Sequence, residues 1–464
     1  MQAVRPALLP LTQKYRSAAA RESRGGQSLH DESATDLHAQ FGRFMGFFRF
    51  NNTTRGAPWA DMEASRWIHV PVVTLAAVAL TTLWLRRRRS NQIENKAASE
   101  VKQGPRHGYA ALIGRTALTE IVSLSKLTGR KIFVKCEHLN PGGTGKDRIA
   151  LSMLLEAEAS GKLKPGGTVV EGTSGSTGIA LAALCAARGY KLIICMPDDQ
   201  SDEKMRLLRR FGATLHVVKT ASISNPDHYV NHARRLAAEI PGAVFMDQFE
   251  NGANFQAHFE GTGPEIWAGT NGRVDAFVMS AGTGGTIAGV SRFLKAVTGG
   301  RVKVVLADPP GSSLLNYVKH GVCYAPQQAE RRVRKHRYDT IAEGIGLDRI
   351  TSNLAKAKMD EVIALTDQDA LDMAHFLMRR EGLFVGSSSA MNVAAAVMFA
   401  HQLPPGSSIV TVICDSGQRH VTRFWNEDFT TREFKLHWPS ASDADASVVA
   451  MVGRLAAGAS SDAL

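Results

Sequence analysis

Cysteine is scarce in this chain: only five residues of 464, at positions 136, 185, 195, 323 and 414, and no two of them form a CxxC pair. That spacing excludes a dithiol redox motif and a cysteine-based zinc site. It fits thiols kept reduced inside a cell. Aromatic residues are few, at 7%, and basic and aromatic side chains do not alternate along the body of the chain. A nucleic-acid surface is therefore not expected. Acidic residues fall short of basic ones, giving a net charge of +12. The shortage is concentrated: residues 1–106 carry a net +8 and the remaining 358 only +4. The excess marks a targeting or membrane signal rather than a polyanion-binding body. What remains is ordinary: 44% hydrophobic and 21% charged residues. That composition rules out wholesale disorder, collagen-like sequence and a multi-span membrane protein, and the length allows roughly two or three domains.

Residues 1–66 lack sustained periodicity and read as a disordered targeting segment. The first 21 residues hold Arg5, Lys14, Arg16 and Arg21 without an acid, as a mitochondrial address would. Residues 67–85, WIHVPVVTLAAVALTTLWL, carry no formal charge and have Trp67 and Trp84 near their ends. As a helix they would span about 28 Å, close to a bilayer's hydrocarbon core. Arg86 to Arg89 follow directly, a charge block that would keep the downstream region on the cytosolic side. A single-pass transmembrane helix is the expectation, with a buried core helix as the alternative. Residues 86–106 form a basic, polar linker.

From 107 to about 435 the texture changes. Short apolar runs, KIFVKC, TVVEG, KLIICMP, TLHVV, AVFMDQF, DAFVMSAG, VKVVLADP and SIVTVIC, alternate with amphipathic stretches such as DRIALSMLLEAEASGKL and DEKMRLLRRFGA. Runs of four to eight apolar residues alternating with helical patterns predict an α/β fold with parallel sheets. More than 300 residues of this pattern predict two lobes, because parallel strands need cover on both faces. From 436 the chain turns to Ser, Asp, Ala and Gly, which predicts a frayed tail through 464.

Four loops at strand-to-helix junctions can carry chemistry, since the ligand crevice of an open α/β sheet lies beyond the carboxyl ends of its strands. The first is Asn140–Arg148, NPGGTGKDR. It fails as a P-loop, with Asn140 where a glycine is required and Asp147 where a magnesium-binding hydroxyl is required. Lys146 there opens a helix, where the macrodipole disfavours a protonated amine; a neutral lysine suits Schiff-base chemistry with a carbonyl. The second loop, Thr173-Ser174-Gly175-Ser176-Thr177-Gly178, exposes hydroxyls and N–H groups that could bind a carboxylate. The third, Gly282-Thr283-Gly284-Gly285-Thr286, forms a phosphate cup by mechanism, its glycines letting backbone N–H groups approach an anion at a helix start. The fourth, Gly386-Ser387-Ser388-Ser389-Ala390, opens an Ala-rich helix.

Each loop alone is a weak signal; their order is specific. With IGRTALTEI, MPDDQSDEK, QFENGANFQAHFEGTGPEIW, SAGTGGTIAG and EGIG, the chain resembles the fold type II pyridoxal-phosphate enzymes, specifically the cysteine synthase/cystathionine β-synthase family. The resemblance spans about 107–425, and the N-terminal span is similar to that of membrane-anchored fungal-type members. It implies a two-lobed catalytic region over 107–435, with a smaller lobe of about 150–265 inserted in the larger. Lys146 would join pyridoxal 5'-phosphate covalently and later move the substrate's α-proton. Gly282, Thr283, Gly284, Gly285 and Thr286 would hold the cofactor phosphate, Ser176 its ring oxygen and Ser388 its pyridine nitrogen. Thr173, Ser174 and Thr177, with Gln248, would grip the substrate carboxylate, and Gly344 would border the pocket. No metal is implied.

The implied reaction is β-replacement: O-acetylserine plus sulfide giving cysteine plus acetate, in a homodimer. Condensation of serine with homocysteine is the alternative within the family, and a catalytically degenerate membrane-bound scaffold the alternative outside it. The sequence departs from the family at Ser176, where Asn is usual, at Thr144-Gly145, where Ser-Val is usual, and at Arg115 and Ala117. LDRITSN after EGIG lacks the customary aromatic and proline residues.

Overall fold

A computed structural model describes residues 108–200, 202–325 and 340–454. All eight apolar runs picked out above form strands, two further strands join them, and together they build two sheets. The six-stranded sheet has the order β1 (Leu118–Glu120), β2 (Lys131–Cys136), β10 (Ser408–Ile413), β7 (Ala276–Ser280), β8 (Lys303–Asp308), β9 (Glu361–Ala364). Only β1 runs antiparallel, pairing Leu118 with Lys135. The four-stranded sheet, β5 (Thr214–Val218), β4 (Lys191–Pro197), β3 (Thr168–Gly172), β6 (Ala243–Phe245), is parallel throughout. Its strands all lie in the chain between β2 and β7. AVFMDQF stops being a strand at Phe245; Met246 stays in the core, and Gln248 and Phe249 border the cleft.

Central strands are buried along their length, as sheets covered on both faces require: every residue of β7 and of β10 is buried. The two unforeseen strands, β1 and β9, are the edges of the larger sheet. They are three and four residues long, and Thr119 and Glu361 point to solvent. Short polar edges of this kind limit pairing with other chains.

The predicted tail is corrected in part. Residues Ala441–Arg454 form a helix whose Ala444, Val448 and Met451 are fully buried in the core of the larger sheet's lobe. Those residues recur at i, i+4 and i+7, one face of a helix. Ser447 donates to Asp372 Oδ2 at 2.6 Å and Arg454 pairs with Asp369 at 2.7 Å. The segment is a docked helix because a narrow apolar stripe sits among the Ser, Asp and Ala that dominate its composition. The expected span 67–85 lies outside the described residues; among those described, no helix is long and apolar enough to cross a membrane.

Candidate active site

Carboxyl ends of parallel strands from both sheets face one cleft of about 1600 Å³. Lys146 stands at its floor as the first residue of the helix Lys146–Ala159, half-buried. Its N–H donates to Thr144 Oγ1 at 3.0 Å. Asp147, fully buried, accepts the Thr144 N–H at 3.3 Å, and burial pushes its carboxyl up to about 6. A Cβ on Gly142 would overlap that carboxylate, so the loop closes only with glycine there. Arg419 donates to the Gly142 carbonyl and packs against Gly143.

Behind the lysine loop lies a largely buried ion cluster. Arg148 contacts Glu137 and Glu265, each at 2.7 Å, and Lys135 reaches Glu265 at 2.6 Å. Burial would raise the Glu137 carboxyl, but the Arg148 charge outweighs it and holds the group at about 2. Thr116 and Asn140 complete the cluster through Glu137 and the Gly114 N–H. The opening motif, the lysine loop and the PEIW segment are thereby tied into one support. Buried charges of this kind are tolerated only when each is paired.

The hydroxyl loop faces Lys146 across the cleft. Thr177 donates to Gln248 Oε1 at 2.6 Å, and Gln248 Nε2 donates to the Gly172 carbonyl at 3.2 Å. Thr173 accepts the Gly175 N–H at 3.3 Å. Thr173, Ser174, Ser176, Thr177 and Gln248 all border the cleft, with Ser176 opening the helix Ser176–Arg188.

The third loop precedes the helix Gly285–Val297, which has no side-chain cap, so its first-turn N–H groups are left for an anion. Gly282, Thr283, Gly284 and Thr286 border the cleft; Gly285 lies just behind, against Asn254. A Cβ on Gly282 would collide with the Gly344 carbonyl, and Gly284 has φ 84°. Asn254 donates to Thr283 Oγ1 at 2.9 Å and to the Gln248 carbonyl at 2.7 Å. His258 Nε2 meets Thr286 Oγ1 at 3.1 Å, and its Nδ1 meets Thr262 Oγ1 at 2.9 Å. Burial drives that imidazole down to about 3, so it bonds as a neutral ring. Ser388, 5% exposed, lies at the start of the helix Ser387–Phe399 and borders the same cleft.

The sequence reading thus names four loops that the fold brings to one cavity. Asn254, His258, Lys204, Arg419 and His420 also line or brace the cleft without being singled out from sequence. Asn254 and His258 lie inside a motif already singled out, QFENGANFQAHFEGT, and Lys204 ends another, MPDDQSDEK; the others form contacts that no local pattern encodes.

A capless helix start, a glycine cup without room for a Cβ, an amine opposite it and a neutral buried hydroxyl suit a phosphorylated, carbonyl-bearing aromatic cofactor. The sequence model of the family described as pyridoxal-phosphate dependent enzyme matches residues 109–415. This chain belongs to the pyridoxal-phosphate-dependent enzymes. Cysteine synthase 2 of Schizosaccharomyces pombe is 45% identical over 369 residues, covering 77% of this chain and 93% of that one. A Saccharomyces cerevisiae protein provisionally named a mitochondrial cysteine synthase is 49% identical over 333 residues, covering 70% of this chain and 85% of its own. The crystal structure of O-ureido-L-serine synthase is similar with TM-score 0.62 at 32% identity, covering 74% of this chain and 100% of that one.

Proposed function

We propose that this protein is a cysteine synthase that converts O-acetyl-L-serine and sulfide to L-cysteine and acetate. The observation that carries the reading is the convergence of Lys146, the Thr177–Gln248 pair, the 282–286 turn and Ser388 on one cleft. When bound, pyridoxal phosphate supplies an electron sink for charge developing at the substrate's Cα. The 282–286 backbone would hold its phosphate, Ser176 its ring oxygen, and Lys146 its carbonyl carbon. Ser388 offers the ring nitrogen a neutral hydroxyl. A carboxylate in that place would keep the nitrogen protonated and spread the negative charge further; a hydroxyl does not, which favours prompt loss of a β-substituent. Thr173, Ser174, Thr177 and Gln248 bind the substrate carboxylate. Once the substrate's α-amine had displaced it from the cofactor's carbonyl carbon, Lys146 Nζ would take the α-proton, and acetate would depart with the Cβ–O electron pair. Hydrosulfide then adds to Cβ, and the proton returns to Cα.

Purified protein lacking the first 90 residues should be yellow, change its absorbance with O-acetylserine and recover with sulfide. An unchanged spectrum would mean a non-catalytic scaffold, while turnover only with serine and homocysteine would favour the cystathionine-forming alternative.

The finer placement is also ours: a single-pass anchor at 67–85 in the mitochondrial outer membrane, the catalytic region facing the cytosol, and a homodimer joined through the larger lobes. The charge-free run, its tryptophans and Arg86 to Arg89 support the anchor. Full-length protein should resist carbonate extraction while added protease digests the catalytic region of intact organelles; extraction would overturn the anchor, and protection of that region its orientation.

A further inference from the structure

Lys204 belongs to the helix Asp202–Arg210, which joins β4 to β5 of the four-stranded sheet. Its side chain lies along the hydroxyl loop, so a Cβ placed on Gly175 would stand 3.4 Å from Lys204 Cδ and 3.6 Å from Nζ. The ammonium then crosses the cleft to Glu343 Oε2, with only 15% and 21% of the two side chains exposed. Glu343 begins the EGIG turn, which is fastened to the rest of the site. Its N–H donates to Ser387 Oγ at 3.2 Å, and the Gly346 N–H donates to the Ala281 carbonyl at 2.9 Å. The Gly344 carbonyl meanwhile packs over Gly282.

The far side of Glu343 is backed by a second charge. His420 Nδ1 lies 3.9 Å from Glu343 Oε1, a Coulombic contact too long for a hydrogen bond, and its Nε2 meets Asp415 Oδ2 at 2.8 Å. Burial opposes charge on both groups. Even so, Asp415 and Glu343 raise His420 to about 10, and His420 and Lys204 hold Glu343 well below the usual carboxylate range. A second tie crosses nearby, from Arg423 to the Asp199 carbonyl at 2.6 Å.

We propose that Lys204 and Glu343 form an interlobe latch, coupling the loop that grips the substrate carboxylate to the turn that roofs the phosphate cup. Both are positioning residues. With the latch made, the 173–177 loop and the 282–286 cup are held at one separation; with it broken, the lobe bearing Lys204 is held less tightly, the Arg423–Asp199 tie remaining. A latch of this kind acts on how tightly the amino-acid substrate is held more than on the chemical step, because the groups touching reacting atoms are unchanged.

The kinetic arm of the test rests on the cysteine synthase reading; the exchange arm does not. Lys204→Met, Glu343→Gln, the double variant and Lys204→Arg are compared in the full-length holoenzyme. Each neutralising single should raise KM for O-acetylserine roughly tenfold and leave kcat within about threefold, in the usual range of coupling between sites. The double should be no worse than Glu343→Gln alone, since the Lys204–Glu343 interaction is lost in all three and the His420 contact is already lost in that single. Lys204→Arg should keep the native KM. Hydrogen exchange without substrate should quicken in 202–210 and 343–346 in the singles and remain native in Lys204→Arg. Effects that multiply in the double variant, an unchanged KM, or exchange unaltered in both segments would each overturn the latch. If Glu343→Gln fails to fold, Lys204→Met against Lys204→Arg decides it. An enzyme inert toward O-acetylserine would count against the assigned reaction, while the exchange arm still decides the latch.

Discussion

Asn254 donates a hydrogen bond to the Thr283 hydroxyl at 2.9 Å, across a buried boundary between the cleft wall and the glycine cup. The same amide donates to the carbonyl of Gln248, whose side chain is paired with Thr177. One fully buried side chain thus joins the Thr177–Gln248 pair to the 282–286 glycine loop, the two parts proposed to hold the substrate carboxylate and the cofactor phosphate.

Asn254→Ala should therefore weaken both functions together. Two buried hydrogen bonds disappear, and the Thr283 and Gln248 acceptors are left without that donor; such losses cost roughly 1–3 kcal/mol. Fluorescence titration of pyridoxal phosphate and KM for O-acetylserine should both worsen. A change in only one would show that the two loops are held independently.

Gly285→Ala tests the cup's backbone. The added methyl would land on Asn254 Oδ1, inside a closely packed wall where overpacking costs roughly 1–3 kcal/mol. The expected result is lower cofactor content and a lower Tm. Gly189→Ala, at a helix end with φ 75° and no atom within 4 Å of the new Cβ, should lower Tm but leave cofactor content intact.

Stability should fall on both sides of neutrality for two different histidines. His258 is held down to about 3 by burial. The unfolded chain therefore takes up a proton near pH 6.5 that the folded one refuses, and stability declines as pH falls from about 6.5 toward 3. His420 is raised to about 10, chiefly by Asp415. Its contribution is complete below about pH 6.5 and is lost as pH rises through 10. In denaturant titrations across pH, His258→Asn should flatten the acid limb and His420→Asn the alkaline limb. An unaltered limb would refute the corresponding assignment.

Truncation after Pro439 should destabilise the catalytic region itself. Ala444, Val448 and Met451 leave a core that includes Leu377, Val397 and Phe399, and re-exposing such side chains costs roughly 3–5 kcal/mol. A Tm equal to that of the full chain would mean the C-terminal helix is ornamental.

How far the sequence was legible follows from how local each signal is. Val169, Val170, Ile194 and Val410 announce their strands because a doubly covered strand is apolar along its length. Leu118–Glu120 and Glu361–Ala364 do not, since edge strands this short have too little pattern. The C-terminal helix was hidden by composition: its three anchoring residues are outnumbered by Ser, Asp and Ala. Loops rich in glycine and hydroxyls stood out because backbone geometry and anion binding restrict residue choice at each position. Asn254, His258 and His420 did not, because their meaning lies in partners such as Thr283, Thr286 and Glu343, 28 or more positions away. Lys204 and Glu343, 139 positions apart, lie inside the MPDDQSDEK and EGIG motifs, but nothing local shows that they pair.

The strand order carries a consequence for biosynthesis. β2 is among the first strands made, yet its parallel neighbour is β10, the last, which sits between β2 and β7. During translation the nascent larger sheet is therefore split down the middle until residues 408–413 leave the ribosome, and Arg419, which clamps the lysine loop, emerges later still. Pairings this distant in sequence close slowly, so the vitamin can be captured only at the end of synthesis, and a polypeptide arrested before β10 would present two unpaired strand edges to chaperones and proteases instead of an enzyme.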